Sequence, residues 1–396
     1  MNVCDIDTPC YIINDKEYKN NLKLFRQEFE NKWNGKVTLG YSVKTNNFPY
    51  MLKTALENGY FAEVVSPDEF SFALRCGCSR DHILYNGPQK RKTFLNLCNE
   101  GTYLNLDNLD EVEIVCSAIN KTKLPKLGIR VNFDIEKECP NETTCEGIPG
   151  RFGINLENGD FEKALWKLNK CGLKLSGLHM HQSSKTRSLK IFETIARKAI
   201  EIGEKFNLRD LSYIDIGGGF WGGGFFEGKP SIPEYSQTIC GILKKIYNPS
   251  ITELILEPGA AILATSMDYL TSVLNIRYIR GKRVVTVDGS LLHINPIMKQ
   301  HPIPFKMINP GEETNEEQII GGSTCMELDR FWPRNICQMA EKNTKFLFHC
   351  SGAYMSTHNS YFINAAPNIY LLQNSNYKLL RKKSIDVLFD GSGEYL

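Results

Sequence analysis

No apolar run in this chain of 396 residues reaches the roughly 20 needed to span a bilayer. Residues 1–15 carry neither the basic start nor the apolar stretch of a signal peptide. Both absences predict a cytoplasmic protein. Net charge is scarce too: 47 Lys and Arg against 45 Asp and Glu leave +2, which gives no field to draw in nucleic acid or an anionic membrane surface. Cysteines number 13 but are scattered, without a Cys-x-x-Cys pair, as expected of reduced core thiols. The nearest clusters, Cys76 with Cys78 and Cys139 with Cys145, have no histidine at zinc-finger spacing, so no structural metal is expected. The remaining composition, 42% hydrophobic and 23% charged, is that of an ordinary globular protein. The length exceeds a single core of roughly 100–200 residues, which implies two domains or one large barrel with an appendage.

Between residues 38 and 257, β-rich runs alternate with helical patterns, the signature of βα units around a parallel sheet. The runs are 37–43, 61–65, 82–85, 103–106, 126–133, 175–181, 213–216 and 253–256. Eight of them over roughly 250 residues predict a (β/α)8 barrel. Helix signals lie between them: Ser66-Pro67-Asp68-Glu69 reads as a capping box opening a helix that ends near Gly77. Amphipathic helices are expected over 160–171, stopped by Gly172, and over 188–206. Residues 134–149 form a long loop after strand five. Beyond residue 262 the pattern changes to a β domain with strands at 267–279, 283–287, 318–320, 344–349, 369–373 and 385–389, and a turn at Arg280-Gly281. The expected domains are residues 24–262, and residues 1–23 together with 263–396.

Reactive groups of such a barrel collect at the carboxyl ends of its strands. Lys44 ends strand one, Arg130 lies on strand five, His179 and His181 end strand six, Gly217-Gly218-Gly219 follow strand seven and Glu257 follows strand eight. Strand alternation predicts that only one of the two histidines faces the mouth, which argues against a metal pair. Singly, each residue has a plain reading: a solvated lysine, a flexible glycine loop, an acid in a Glu-Pro-Gly turn. Jointly they suit a phosphorylated aromatic aldehyde that condenses with lysine, and pyridoxal phosphate has those parts. Lys44 would form the Schiff base, the glycine backbone would approach the phosphate, His181 would lie against the ring, and Glu257 would keep the pyridine nitrogen protonated.

The ordered motifs Tyr41-Ser-Val-Lys44-Thr-Asn46, Glu63-Val-Val-Ser66, Arg151-Phe-Gly153, Gly177-Leu-His-Met-His181, Asp215-Ile-Gly-Gly-Gly219, Glu257-Pro-Gly259, Val287-Asp-Gly289, Gly322-Ser-Thr-Cys325 and Gly352-Ala-Tyr354 run along nearly the whole chain. The chain resembles the fold-type III decarboxylases that use pyridoxal phosphate, the diaminopimelate, ornithine and arginine decarboxylase family. The resemblance implies an alanine-racemase-like barrel with a C-terminal β domain, and a homodimer with shared active sites. By the same resemblance Lys44 carries the cofactor and His181 stacks on it. Ser184, Gly217, Gly218, Gly219 and Tyr354 hold the phosphate, Glu257 meets the ring nitrogen within the Glu257-Pro-Gly259 turn, and Arg130 and Glu69 support the inner shell. Cys325 would come from the partner subunit as proton donor. Arg151, Asn295, Met326 and Glu327 fall where substrate would bind.

Departures from the pattern concern the substrate. Ala260 stands where the family usually has Arg, and Asn295 replaces an Arg of the diaminopimelate enzymes, removing two bidentate partners for a distal carboxylate. Met326 replaces the acid that holds a distal ammonium in the diamine-forming members, and a desolvated, unpaired ammonium is costly. Gln182-Ser183 departs from the usual residues before Ser184. The expected activity is therefore removal of the α-carboxylate of an L-amino acid, or of one whose distal end is masked by conjugation or carrier-protein linkage. The alternatives are a diaminopimelate or basic amino-acid decarboxylase, a racemase, disfavoured by Glu257, and a regulatory homologue that binds the cofactor without turnover.

Overall fold

The computed structural model describes residues 3–90, 94–118, 123–144, 147–222, 227–297, 302–331, 337–355, 357–358 and 361–389. Residues 21–262 form one compact unit, and residues 1–20 with 263–396 form another. The first is a closed barrel of eight parallel strands: β1 (Val37–Ser42), β2 (Phe61–Val64), β3 (Ile83–Tyr85), β4 (Tyr103–Leu106), β5 (Lys126–Asn132), β6 (Gly177–His179), β7 (Tyr213–Asp215) and β8 (Glu253–Leu256). Neighbours follow chain order, and β8 closes onto β1 with Leu254 opposite Val37. Almost every strand position is buried, because helices cover the outer face of a parallel sheet and side chains fill its interior.

Helix ends follow the expected punctuation with one difference. Pro67–Arg75 opens with Ser66 Oγ accepting from Glu69 N–H. The Glu69 carboxylate, however, accepts from Val65 N–H at 2.8 Å rather than from the cap residue itself, so it ties the helix start back to β2. Helices Asp160–Lys170 and Leu189–Lys205 also form, the latter capped by Ser188.

One side chain spans the barrel interior. Gly128, Gly177 and Tyr213 share a register line across β5, β6 and β7, and a Cβ on Gly177 would meet the Tyr213 ring at 2.3 Å. The two glycines thus leave room for the ring to lie across their strands, while the Tyr213 hydroxyl donates to Asn105 Oδ1 at 2.8 Å. At the amino ends of the strands Glu253 Oε2 accepts from Tyr103 Oη at 2.8 Å and Lys36 Nζ at 2.9 Å.

In the second unit the N-terminal strand Cys10–Asn14 lies inside a sheet, antiparallel to Met267–Ile279 and parallel to Asn368–Gln373. Met267–Ile279 is long enough to serve three partners, Cys10–Asn14, Lys345–Phe348 and Lys282–Val287, shifting register between Val273 and Asn275 as it turns toward the last. The hairpin turn at Arg280-Gly281 has φ of 51° and 73°, the left-handed pair that suits a two-residue connection. The expected strand at 385–389 is not one: Asp386–Leu388 is a 3-10 turn. Sheet edges come instead from Asn376–Arg381 and Phe305–Ile308. The first follows a tight turn at Asn374-Ser375, with φ of 49° and 61°, and was not among the expected strands. Among the described residues no helix is long and apolar enough to cross a membrane.

Replacing Gly177 by Ala should lower stability by about 1–3 kcal/mol through overpacking against Tyr213. Gly241→Ala, on the exposed face of helix Ile232–Leu243 with nothing near its Cβ, should raise it by about 0.5–1 kcal/mol. Chemical denaturation of the two variants reads the opposite signs.

Candidate active site

Every barrel strand delivers one polar side chain to the mouth: Lys44, Glu63, Asn86, Asn105, Arg130, His179, Asp215 and Glu257, in strand order. Lys44 sits in the single turn Val43–Thr45 that stops β1, and its ammonium pairs with the buried Glu63 carboxylate. Gly259 packs against that turn, where a Cβ would lie 2.6 Å from Thr45 Oγ1. Glu257, 4% exposed, accepts from Asn86 Nδ2 at 2.5 Å through Oε1. Its Oε2 lies 3.7 Å from His179 Nε2.

Both histidines face this cluster, contrary to the expectation that strand alternation would separate them. Positions two apart share a face, and the rings of His179 and His181 lie 6.2 Å apart and 20° from parallel. Desolvation, reinforced by the Arg130 charge, pushes His181 down to about 3. Its Nδ1 accepts from Gly218 N–H at 3.2 Å, which fits a neutral imidazole with the proton on Nε2. Burial likewise pushes His179 down, and neither of its ring nitrogens has a hydrogen-bond partner.

The carboxylates divide one proton. Burial, then the neighbouring Glu257 charge, pushes Asp215 well above the usual carboxylate range. Burial pushes Glu257 in the same direction, but its contact with His179 and the charge of Lys44 more than offset it and hold Glu257 low. Like charges buried side by side cannot both ionise cheaply, and Glu257 is the one that stays charged. Arg130, pushed down by burial and pulled back by Asp107, Glu257, Glu63 and Asp215, is the enclosed cation of the group.

The glycine run is partly spent on its own packing. Gly217 N–H bonds Asp215 Oδ1 at 2.8 Å and Gly218 N–H bonds His181, while Gly219, at φ 99°, has nothing within 4 Å of a built Cβ. Gly223 and Gly224, which continue the glycine-rich stretch 217–224, lie outside the described residues. Ser184 follows His181, but its hydroxyl donates to Glu142 O at 3.2 Å and accepts from Arg187 N–H at 2.9 Å, locking it into the loop from 134–149. Arg151 stacks on Phe152 at 4.2 Å, with Arg130 at 4.8 Å from the same ring.

The remaining expected residues belong to the second unit. Cys325 is exposed on a segment pinned by the buried Asp329, which accepts from Leu291 N–H at 2.7 Å and from Thr324 Oγ1 at 2.6 Å. Met326 is at the edge of exposure, and Glu327 pairs with Arg330 at 2.6 Å. Asn295 is buried, its N–H donating to Leu291 O at 2.7 Å. Tyr354 is exposed at φ 65°. Asn86 and Asn105 were not anticipated. Asn86 precedes Gly87-Pro88 and so reads as turn chemistry, and its position at a strand's carboxyl end was the available signal.

The family model described as "Pyridoxal-dependent decarboxylase, pyridoxal binding domain" matches residues 16–264. The chain belongs to the pyridoxal-dependent decarboxylases. A probable chloroplastic diaminopimelate decarboxylase of Oryza sativa subsp. japonica is 25% identical over 389 residues, 96% of this chain and 78% of that protein. Among solved structures, diaminopimelate decarboxylase from M. jannaschii superposes with TM-score 0.85 at 20% identity, covering 98% of this chain and 92% of that one. The Helicobacter pylori enzyme complexed with L-lysine gives 0.83 at 22%, covering 99% and 98%. The two structures carry the fold: a closed parallel barrel with a separate, mostly sheet unit. This decarboxylase is a carboxy-lyase whose cofactor is pyridoxal phosphate. The donor set fits that group: a lysine amine beside its carboxylate, a buried histidine with unsatisfied ring nitrogens, an ionised acid, and open space at Gly219.

Glu69, enclosed behind Lys44, is pushed up to about 7 by burial, with Glu63 adding to it and the Val65 N–H and Lys44 opposing. A carboxyl raised in the folded state contributes stability fully below its unfolded value of about 4.3, and that contribution is lost as pH climbs through about 7. Glu69→Gln keeps the acceptor for Val65 without the charge. Its unfolding free energy should therefore gain on the parent steadily between those limits and level off above. Urea titrations at several pH values test this, and a pH-independent difference contradicts it.

Proposed function

We propose that this carboxy-lyase removes the α-carboxylate of an L-amino acid at Lys44, and that the substrate's distal end is masked by conjugation or carrier-protein linkage. Pyridoxal phosphate, when bound, supplies the electron sink for departure of CO2. The chain's own groups do the rest. Lys44 takes the aldehyde, with Glu63 as its counter-ion. Neutral His181 offers a ring face for stacking. Glu257, ionised, would accept a hydrogen bond from the protonated ring nitrogen and so keep it cationic. Ser184, Gly217, Gly218, Gly219 and Tyr354 would hold the phosphate once the Ser184 hydroxyl and the Gly217 and Gly218 N–H groups exchange their present partners for it, and the Glu257-Pro-Gly259 turn lies against the turn that carries Lys44. Cys325 donates the proton to the product carbon, in a homodimer where the cysteine of one copy serves the lysine of the other.

The observation that carries the masked substrate is the segment after Cys325. Met326 has no charge to offer, and Glu327 is committed to Arg330, so no spare carboxylate faces a distal ammonium from either position. Arg151 is held by Phe152 and Asn295 is buried in its own turn, which leaves a distal carboxylate equally short of partners. A second reading, free diaminopimelate, is favoured by the relatives, since the proteins it resembles in sequence carry that name.

Lys44→Ala should abolish the visible absorbance of added pyridoxal phosphate, its fixation by borohydride, and turnover. CO2 release should be fastest from acylated or carrier-linked amino acids, and faster turnover of free diaminopimelate would select the second reading. Mixing the inactive Lys44→Ala and Cys325→Ala chains should restore part of the activity, whereas two chains each complete alone would restore none.

A further inference from the structure

Asn86 stands directly after β3 at the barrel mouth, 2% exposed. Its side-chain NH2 donates to Glu257 Oε1 at 2.5 Å and to Glu63 Oε1 at 3.2 Å. Its Oδ1 accepts from Asn105 Nδ2 at 2.8 Å, and Asn105 in turn reaches Asp215 Oδ2 at 3.3 Å. Chemistry imposes this orientation, because ionised carboxylates only accept, so the amide must turn its two hydrogens toward them and its oxygen toward Asn105.

We infer that Asn86 is a positioning residue that shares one amide between the lysine's counter-ion and the ring nitrogen's acceptor, holding both carboxylates in place at once. The inference rests on the cofactor roles proposed for Lys44 and Glu257. Its physical ground is the crowding of acids: Glu63, Asp215 and Glu257 are all buried, and the charged groups facing them are Lys44 and Arg130, with His179 and His181 pushed toward neutrality. Burial and the neighbouring Glu257 charge favour the protonated form of Asp215. Hydrogen-bond donors favour the ionised form of a crowded carboxylate. Asn86 supplies one N–H to each. Glu63 holds the Lys44 ammonium, and Glu257 would accept from the ring nitrogen, so one amide orients the two acids that the proposed cofactor roles require. The Asn105 link fixes the amide against rotation, so Asn86 cannot serve one acid at the other's expense.

The test uses the full chain loaded with pyridoxal phosphate, and reads the pH midpoint of the bound cofactor's visible absorbance with kcat and KM. Asn86→Leu keeps the volume and removes both donors. Asn86→Ser keeps one. The Leu variant should move the midpoint to lower pH by about one unit, a tenfold change in proton affinity, because the cationic form loses anionic partners. The Ser variant should move it less, and in both kcat should fall by a larger factor than KM rises. Where the Leu variant fails to fold, Asn105→Leu, which frees the amide to turn, should give a smaller shift in the same direction. Lower melting temperatures with an unmoved midpoint overturn this inference alone. A parent protein that takes up no pyridoxal phosphate overturns the cofactor reading and this inference with it.

Discussion

A carboxylate that stays ionised while 4% exposed governs this structure. Removing the partners of a buried charge costs about 3–5 kcal/mol, and Glu257 is surrounded by groups that prevent that loss: an asparagine amide, a histidine ring edge, the field of Arg130 and Lys44, and a neighbouring acid that takes the proton instead. Those partners come from different strands, so the requirement is met only when the barrel is closed and in register. Charge placement at the mouth and closure of the sheet are one constraint.

Much of the fold was legible because the barrel repeats its signals. Eight apolar runs at helix-length spacing mark the strands, and Ser66-Pro67 and Ser188 announce helices with chemistry that needs no tertiary context. The β unit was less legible. Its N-terminal strand is separated in sequence from the strands it pairs with, and Asn376–Arg381 has a largely exposed, polar face that mimics a loop. The run at 385–389 is apolar but pairs with nothing in the sheet, since composition alone does not supply a neighbour.

The site was legible where one residue type has one chemical use. Lys44, Glu257 and the glycine run stand out for that reason. His179 was discounted through an error about which positions share a strand face, and the asparagines were missed because an amide in a turn has many ordinary explanations. Their importance comes from what they bridge, which only three-dimensional proximity reveals. The substrate end is harder still, because Met326 and Asn295 speak through the charges they lack.

Tyr213, lying across Gly128 and Gly177, stoppers the barrel beneath these polar groups, and the Glu253 cluster closes the opposite rim. Packed side chains thus fill the barrel beneath the polar groups of the mouth. On the cofactor role proposed for Lys44, a proton donor such as Cys325 would then meet the product at the loop side, and whatever covers the mouth would decide which donor reaches it.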